Sequence, residues 1–174
     1  MGNRVVLIPA RGGSTRVPRK NVRDFLGRPA ISRVIDVVTA SGVADEVVVS
    51  TDDAEIADTA RAAGARVPFV RPAELADAHT GARPVIQHAI GELGLGPEVR
   101  LGVCYATAVM LKPQDVVEAE RLLEPGLVDF VMTVAAFPAP IERALRVRSD
   151  GLVEVDDVSY LSVRSQDLVP AYHD

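Results

Sequence analysis

A chain of 174 residues that is 48% hydrophobic and 25% charged holds enough apolar material for one complete core and carries no compositional mark of disorder. Its net charge of −5 and its aromatic content of 4% argue against a general nucleic-acid binder and against a base-stacking platform. Cys104 is the only cysteine, which excludes an internal disulfide and a thiolate zinc cluster; with no apolar signal core after Met1 and no stretch long enough to span a bilayer, a cytoplasmic protein without membrane contact is expected.

Arg4 to Ile8 is a short β-branched run ending at proline, and Ala30 to Ser41 sets Ile31, Val34, Ile35 and Val38 on one helical stripe. Glu46 to Ser50 reads as a buried valine-rich strand. Asp52, with Glu55 three residues on, reads as the N-cap of a helix running through Ile56, Ala60 and Ala63 to a stop at Gly64. Arg66 to Val70 is predicted as a third strand. Pro84 opens a helix carrying Ile86, Ala89, Ile90 and Leu93 and closed by Gly94. A strand near Val99 to Cys104, a helix over Pro113 to Leu123 and an apolar strand over Asp129 to Ala135 continue the alternation. Strands alternating with helices of this length predict an α/β fold, a mostly parallel sheet with helices on both faces and right-handed crossovers. Past Pro138-Ala139-Pro140 the pattern changes. Leu145 to Arg148 and Leu152 to Val155 read as a hairpin turning at Asp150-Gly151, and Tyr160 to Asp174 has no clear period. The whole is read as one domain, 1–174, with residues 138–174 an excursion from its core.

The chemistry is concentrated after the first strand, in Pro9-Ala10-Arg11-Gly12-Gly13-Ser14-Thr15-Arg16-Val17-Pro18-Arg19-Lys20-Asn21. Adjacent glycines let backbone N–H groups approach an anion without a Cβ in the way, while guanidinium forks and a lysine neutralise its charge. Between Pro9 and Arg28 the net charge is +5, leaving −10 on the rest of the chain, a distribution that suits a focused anion site. In a parallel sheet such a site lies beyond the carboxyl ends of the strands, where this loop departs. The loop matches neither a Walker loop nor a Gly-x-Gly-x-x-Gly fingerprint, which removes the main warrant for a kinase or a dehydrogenase.

Arg11-Gly12-Gly13-Ser14 followed by Pro18-Arg19-Lys20-Asn21 resembles the signature of the cytidylyltransferases that activate nine-carbon keto-sugar acids, the CMP-sialic acid synthetase family. Val49-Ser50-Thr51-Asp52-Asp53-Ala54-Glu55-Ile56-Ala57 and Val67-Pro68-Phe69-Val70-Arg71-Pro72-Ala73-Glu74-Leu75 are similar to the next two family blocks. Tyr105-Ala106-Thr107-Ala108, Arg164-Ser165-Gln166-Asp167-Leu168 and Ala171-Tyr172-His173-Asp174 look most like the pseudaminic acid branch. The resemblance implies a Rossmann-like nucleotidyltransferase fold of GT-A type. It implies attack of a sugar's anomeric hydroxyl on the α-phosphate of CTP with loss of pyrophosphate, helped by Mg²⁺, in a homodimer joined through residues 140 to 158. Carried over by position, Arg11, Arg16 and Lys20 are the catalytic cations. Pro9, Ala10, Arg11, Gly12, Gly13, Ser14, Lys20, Asn21, Arg71 and Ala82 are the nucleotide site, and Tyr105, Arg164 and Gln166 the acceptor site. No metal ligand is assigned.

Each position has a plainer reading beside the functional one. Arg71 is placed to pair with Glu74 at the surface, Tyr105 to sit in the core, and Asp52 and Asp53 to cap a helix, while His88 packs or faces water. The chain also departs from the family. Thr15 stands where a lysine is usual, Val109 where a proline is usual, and Ala82 where a small hydroxyl residue is frequent; family members continue past the position of Asp174 into the carboxylates that hold the metal. Two alternatives therefore stand beside the pseudaminic acid reading: transfer to another acceptor such as legionaminic acid, sialic acid or a phosphonate, and a catalytically silent nucleotide-binding subunit.

Overall fold

The structure, a computed structural model, describes residues 4–173. These divide into two compact units, Met1–Leu122 and Leu123–Asp174.

In the first unit β1 (Arg4–Pro9) is the central strand, and Val5 to Ile8 are buried without interruption, as expected of a strand covered on both faces. A short antiparallel pair, β2 (Asp24–Phe25) and β3 (Arg28–Pro29), leads into α1 (Ala30–Ala40), which buries Ile31, Val34, Ile35 and Val38. The chain continues through β4 (Glu46–Ser50), α2 (Ala54–Ala62), α3 (Ala82–Leu93), β5 (Arg100–Val103) and α4 (Pro113–Leu122). The sheet is parallel in the order β4-β1-β5, in register Leu7↔Val48 and Leu7↔Val103.

Alternation along the strands divides the core in two. Val6, Ile8 and Val49 meet α1 and α2 through Ile31, Ile35, Ile56 and Ala60, while Val5, Leu7 and Val48 meet α3 through Ala89 and Leu93. Helices on both faces of a parallel sheet are the arrangement the sequence predicts.

Two local expectations are corrected. The cap of α2 is Asp53, whose carboxylate accepts from Ile56 N–H at 3.0 Å; Asp52 instead accepts from the backbone N–H of Gly12 at 3.0 Å. The third strand, Arg66 to Val70, is reduced to bridges at Val48↔Arg66 and Thr51↔Val70, because Pro68 has no N–H to donate to a ladder. Glycine ends α3 as predicted, with Gly94 in the left-handed region at φ +60°.

In the second unit the predicted strand over Asp129 to Ala135 survives only as β6 (Ala135–Ala136), paired with β9 (Tyr172–His173). The hairpin forms between β7 (Leu145–Val147) and β8 (Val153–Val155), turning through Gly151 at φ +81°. Short 3₁₀ turns at Ile141–Arg143, Val158–Ser162 and Ser165–Asp167 fill the intervals. No described residue of this unit is buried.

Candidate functional site

At the carboxyl ends of β1, β4 and β5 the first unit opens a cleft of about 190 Å³ lined by Pro9, Arg11, Lys20, Asn21, Arg71, Thr80, Gly81, Ala82, Val85, Tyr105, Ala106 and Thr107. Seven residues proposed for the site from sequence meet there: Pro9, Arg11, Lys20, Asn21, Arg71, Ala82 and Tyr105.

Asn21 is buried and donates through Nδ2 to the carbonyl of Arg11 at 2.9 Å, closing the glycine loop on itself across ten residues. Arg11 reaches across to donate to the carbonyl of Asp77 at 2.6 Å. Asp77 in turn accepts from the N–H groups of His79 and Thr80, a tight turn that delivers the chain to Gly81 and α3 and holds its carboxyl below the usual carboxylate range. The N-terminus of α3 faces the cleft with no side-chain cap and no acidic residue in its first turn. Its free N–H groups and positive dipole end therefore add to the cations.

Arg71 is only 4% exposed. Its Nε donates to Ser50 Oγ at 3.1 Å and its Nη2 to the carbonyl of Ser50, while its own N–H donates to the carbonyl of Thr51 at 2.9 Å. Burial pulls its pKa down from the usual arginine range, and the carboxylate of Asp52 opposes that. The surface pairing with Glu74 is thus not the one adopted. Lys20 is exposed and has no ion-pair partner among the described residues. Tyr105 is 59% exposed at the cleft wall, so it is not a core tyrosine.

The remaining candidates lie elsewhere. Ala10 is buried beneath the loop, its N–H donating to the carbonyl of Ser50 at 2.9 Å. Gly12 gives its N–H to Asp52, Gly13 and Arg16 are exposed away from the lining, and Ser14 has a buried hydroxyl without a partner among the described residues. Arg164 and Gln166 belong to the second unit, where Arg164 pairs with Asp167 at 2.8 Å.

The positive segment is also less concentrated than its sequence count. Arg19 is tied to Asp53 and Glu55, and Arg28 to Asp36, so Arg11, Lys20 and Arg71 are the cations that reach the cleft. Thr80, Gly81, Val85, Ala106 and Thr107 join the lining without having been assigned from sequence. A helix start lacking acidic residues was the available signal for Gly81; nothing local marks the partnership of Arg71 with Ser50, 21 residues away. His88 packs edge-on against Phe69, with ring centroids 5.3 Å apart, as the plainer reading has it.

A protein-family profile described as cytidylyltransferase matches residues 5–137. A pseudaminic acid cytidylyltransferase of Campylobacter jejuni subsp. jejuni is 41% identical over 170 residues, 97% of this chain and 73% of that protein. Among solved structures, a CMP:2-keto-3-deoxy-manno-octonic acid synthetase complexed with CTP superposes with a TM-score of 0.57 at 24% identity, over 69% of this chain and 46% of that one. A cytidylyltransferase from Leptospira borgpetersenii gives 0.56 at 20% identity, over 71% and 50%. The matched part of this chain covers about half the length of each of those two structures; at such identities they speak for the fold.

Proposed function

The chain belongs to the cytidylyltransferase family, and from that premise we propose that its cleft binds CTP and transfers CMP to the anomeric hydroxyl of a nine-carbon keto-sugar acid of the pseudaminic type, releasing pyrophosphate. The observation that carries the reading is the convergence of Arg11, Lys20 and the uncapped N-terminus of α3 on one small cleft at the strand ends. Such a set of donors is what a polyphosphate requires.

As the sugar oxygen attacks the α-phosphorus in line, negative charge gathers on the departing pyrophosphate. Arg11 and Lys20 meet that charge. Arg11 is held by the carbonyl of Asp77 and needs little reorientation to do so, which is the sense in which the site is preorganised. Lys20 is the mobile partner, an ammonium on a flexible stem. Arg71, anchored on Ser50 and buried, is assigned to the nucleoside half, where a fixed guanidinium gives orientation rather than charge neutralisation. Tyr105 and Thr107, also in the lining, offer hydroxyls for the acceptor. Arg164 and Gln166 are retained as acceptor residues, Arg164 suited to fork onto the sugar carboxylate. Arg16 is retained as an auxiliary cation in place of the lysine that Thr15 replaces.

Among the described residues no group of three His, Cys, Asp or Glu side chains is arranged to hold a metal. These residues do not form a resident Mg²⁺ cage, and in this proposal Mg²⁺ enters as part of the substrate, MgCTP. A cytoplasmic homodimer completes the reading, and the exposed apolar side chains of Leu145, Val147 and Val153 support the association. No helix among the described residues is long and apolar enough to cross a membrane.

The test is pyrophosphate release from CTP and Mg²⁺ across a panel of pseudaminic, legionaminic and sialic acids. Release with pseudaminic acid is expected. Release with none of them overturns the transferase, and release with another acid alone reassigns the acceptor.

A further inference from the structure

The glycine loop is fastened from outside the cleft by the turn that follows β4. Asp52 accepts the N–H of Gly12 at 3.0 Å, and the carboxylate of Asp53 receives the guanidinium fork of Arg19 at 2.5 and 2.9 Å while its Oδ1 still accepts Ile56 N–H. Glu55 adds a second carboxylate to Arg19. Gly12 lies so close that a Cβ placed on it would stand 2.6 Å from Asp53 Oδ2 and 2.9 Å from Asp53 Cβ. Arg19 itself adopts φ +54°, a left-handed backbone that a residue with a Cβ takes up only when its surroundings hold it there. Its carbonyl accepts the N–H groups of Val22 and Arg23, which sets the course of the chain carrying Lys20 and Asn21.

We propose that the Arg19–Asp53 ion pair, with Asp52 on Gly12, is a positioning device: it fixes both ends of the loop from Arg11 to Lys20 so that those two cations stand in the cleft together. The inference rests on reading the cleft as a CTP site. Neither Arg19 nor Asp53 lines the cleft, and both act through Arg11 and Lys20. The ordinary role of Asp53, capping α2, is separable from this one. A serine keeps an N-cap oxygen and loses the ion pair.

The experiment compares the full chain with Asp53→Ser, Arg19→Ala and the double variant, measuring CTP affinity by calorimetry, melting temperature, and hydrogen exchange of the amides from Gly12 to Thr15. Each single variant is expected to lose part of the stability that the ion pair gives yet stay folded at the temperature of the titration, and to bind CTP on the order of tenfold more weakly, because displaced cations lose their geometry. The double variant is expected to be no weaker than either single one, since both break one link. Asp53→Ser binding CTP like the parent overturns the proposal, as do effects of the two single changes that simply add. If the parent protein binds no CTP, the cleft assignment fails by itself and the exchange data judge the clamp: faster exchange from Gly12 to Thr15 in both variants upholds it, and unchanged exchange sinks it.

Discussion

Arg71 and Lys20 carry the same charge into the same cleft in opposite physical states. Arg71 is buried with two of its donors on Ser50, so Arg71→Met strands the buried hydroxyl of Ser50 and takes from its carbonyl one of two donors, the other being Ala10 N–H, and is expected to cost about 1–3 kcal/mol of stability, read from a urea midpoint. Lys20 is exposed and unpaired among the described residues, so Lys20→Met is expected to leave stability within about 0.5 kcal/mol while weakening CTP binding on the order of tenfold or more. A pair of variants that both lower stability and both spare CTP binding would contradict this division of labour. At this scale the sequence identified the residue types well. It did not show what they touch: pairing with Glu74 was the plainer reading of Arg71, and its partnership with Ser50 is made only when the segment after Arg66 lies alongside β4.

Among the elements, α2 shows best how one residue joins local and distant structure. Asp53 caps the helix and receives Arg19, and the guanidinium holds its carboxyl at about 2, below the ordinary 3.8. A carboxyl depressed on folding contributes stability that is complete above its ordinary value and is lost as pH falls through the folded one. The protein is therefore expected to lose melting temperature between about pH 4 and pH 2 by a step that Asp53→Asn lacks. Melting curves at closely spaced pH values that fall in parallel for the two proteins would refute it. The elements that the sequence predicted correctly, β1, α1, β4, α2, α3, β5, α4 and the β7–β8 hairpin, carry local signals: an apolar period, a cap, or a glycine stop or turn. Those it overestimated, Arg66 to Val70 and Asp129 to Ala135, are apolar runs whose strand character depends on a partner to accept and donate across a ladder.

For the molecule as a whole, the described residues divide unevenly. Every buried residue among those described belongs to the first unit, most of the apolar ones in two clusters on the faces of one parallel sheet, whereas the second unit has hairpin and 3₁₀ turns with its large apolar side chains exposed. Since hydrophobic burial is the main favourable contribution to folding, a fragment of residues 1–122 is expected to unfold cooperatively in denaturant, and one of residues 123–174 to show no cooperative transition. Circular dichroism titrations of the two fragments check this, and a sharp transition in the smaller one would count against it.

What the sequence determined by itself is the class of fold and the kind of ligand: strand and helix periods are local properties, and a basic glycine loop after a buried strand announces an anion wherever the rest of the chain goes. Which of those cations faces the cleft was decided by the tertiary structure alone. Arg19 and Arg28 are withdrawn by carboxylates on α2 and α1, and Arg71 is brought in from a segment with no strand of its own. Ion pairs and buried hydrogen bonds form between residues that are neighbours in space, and that proximity is a property of the packed sheet, invisible along the chain.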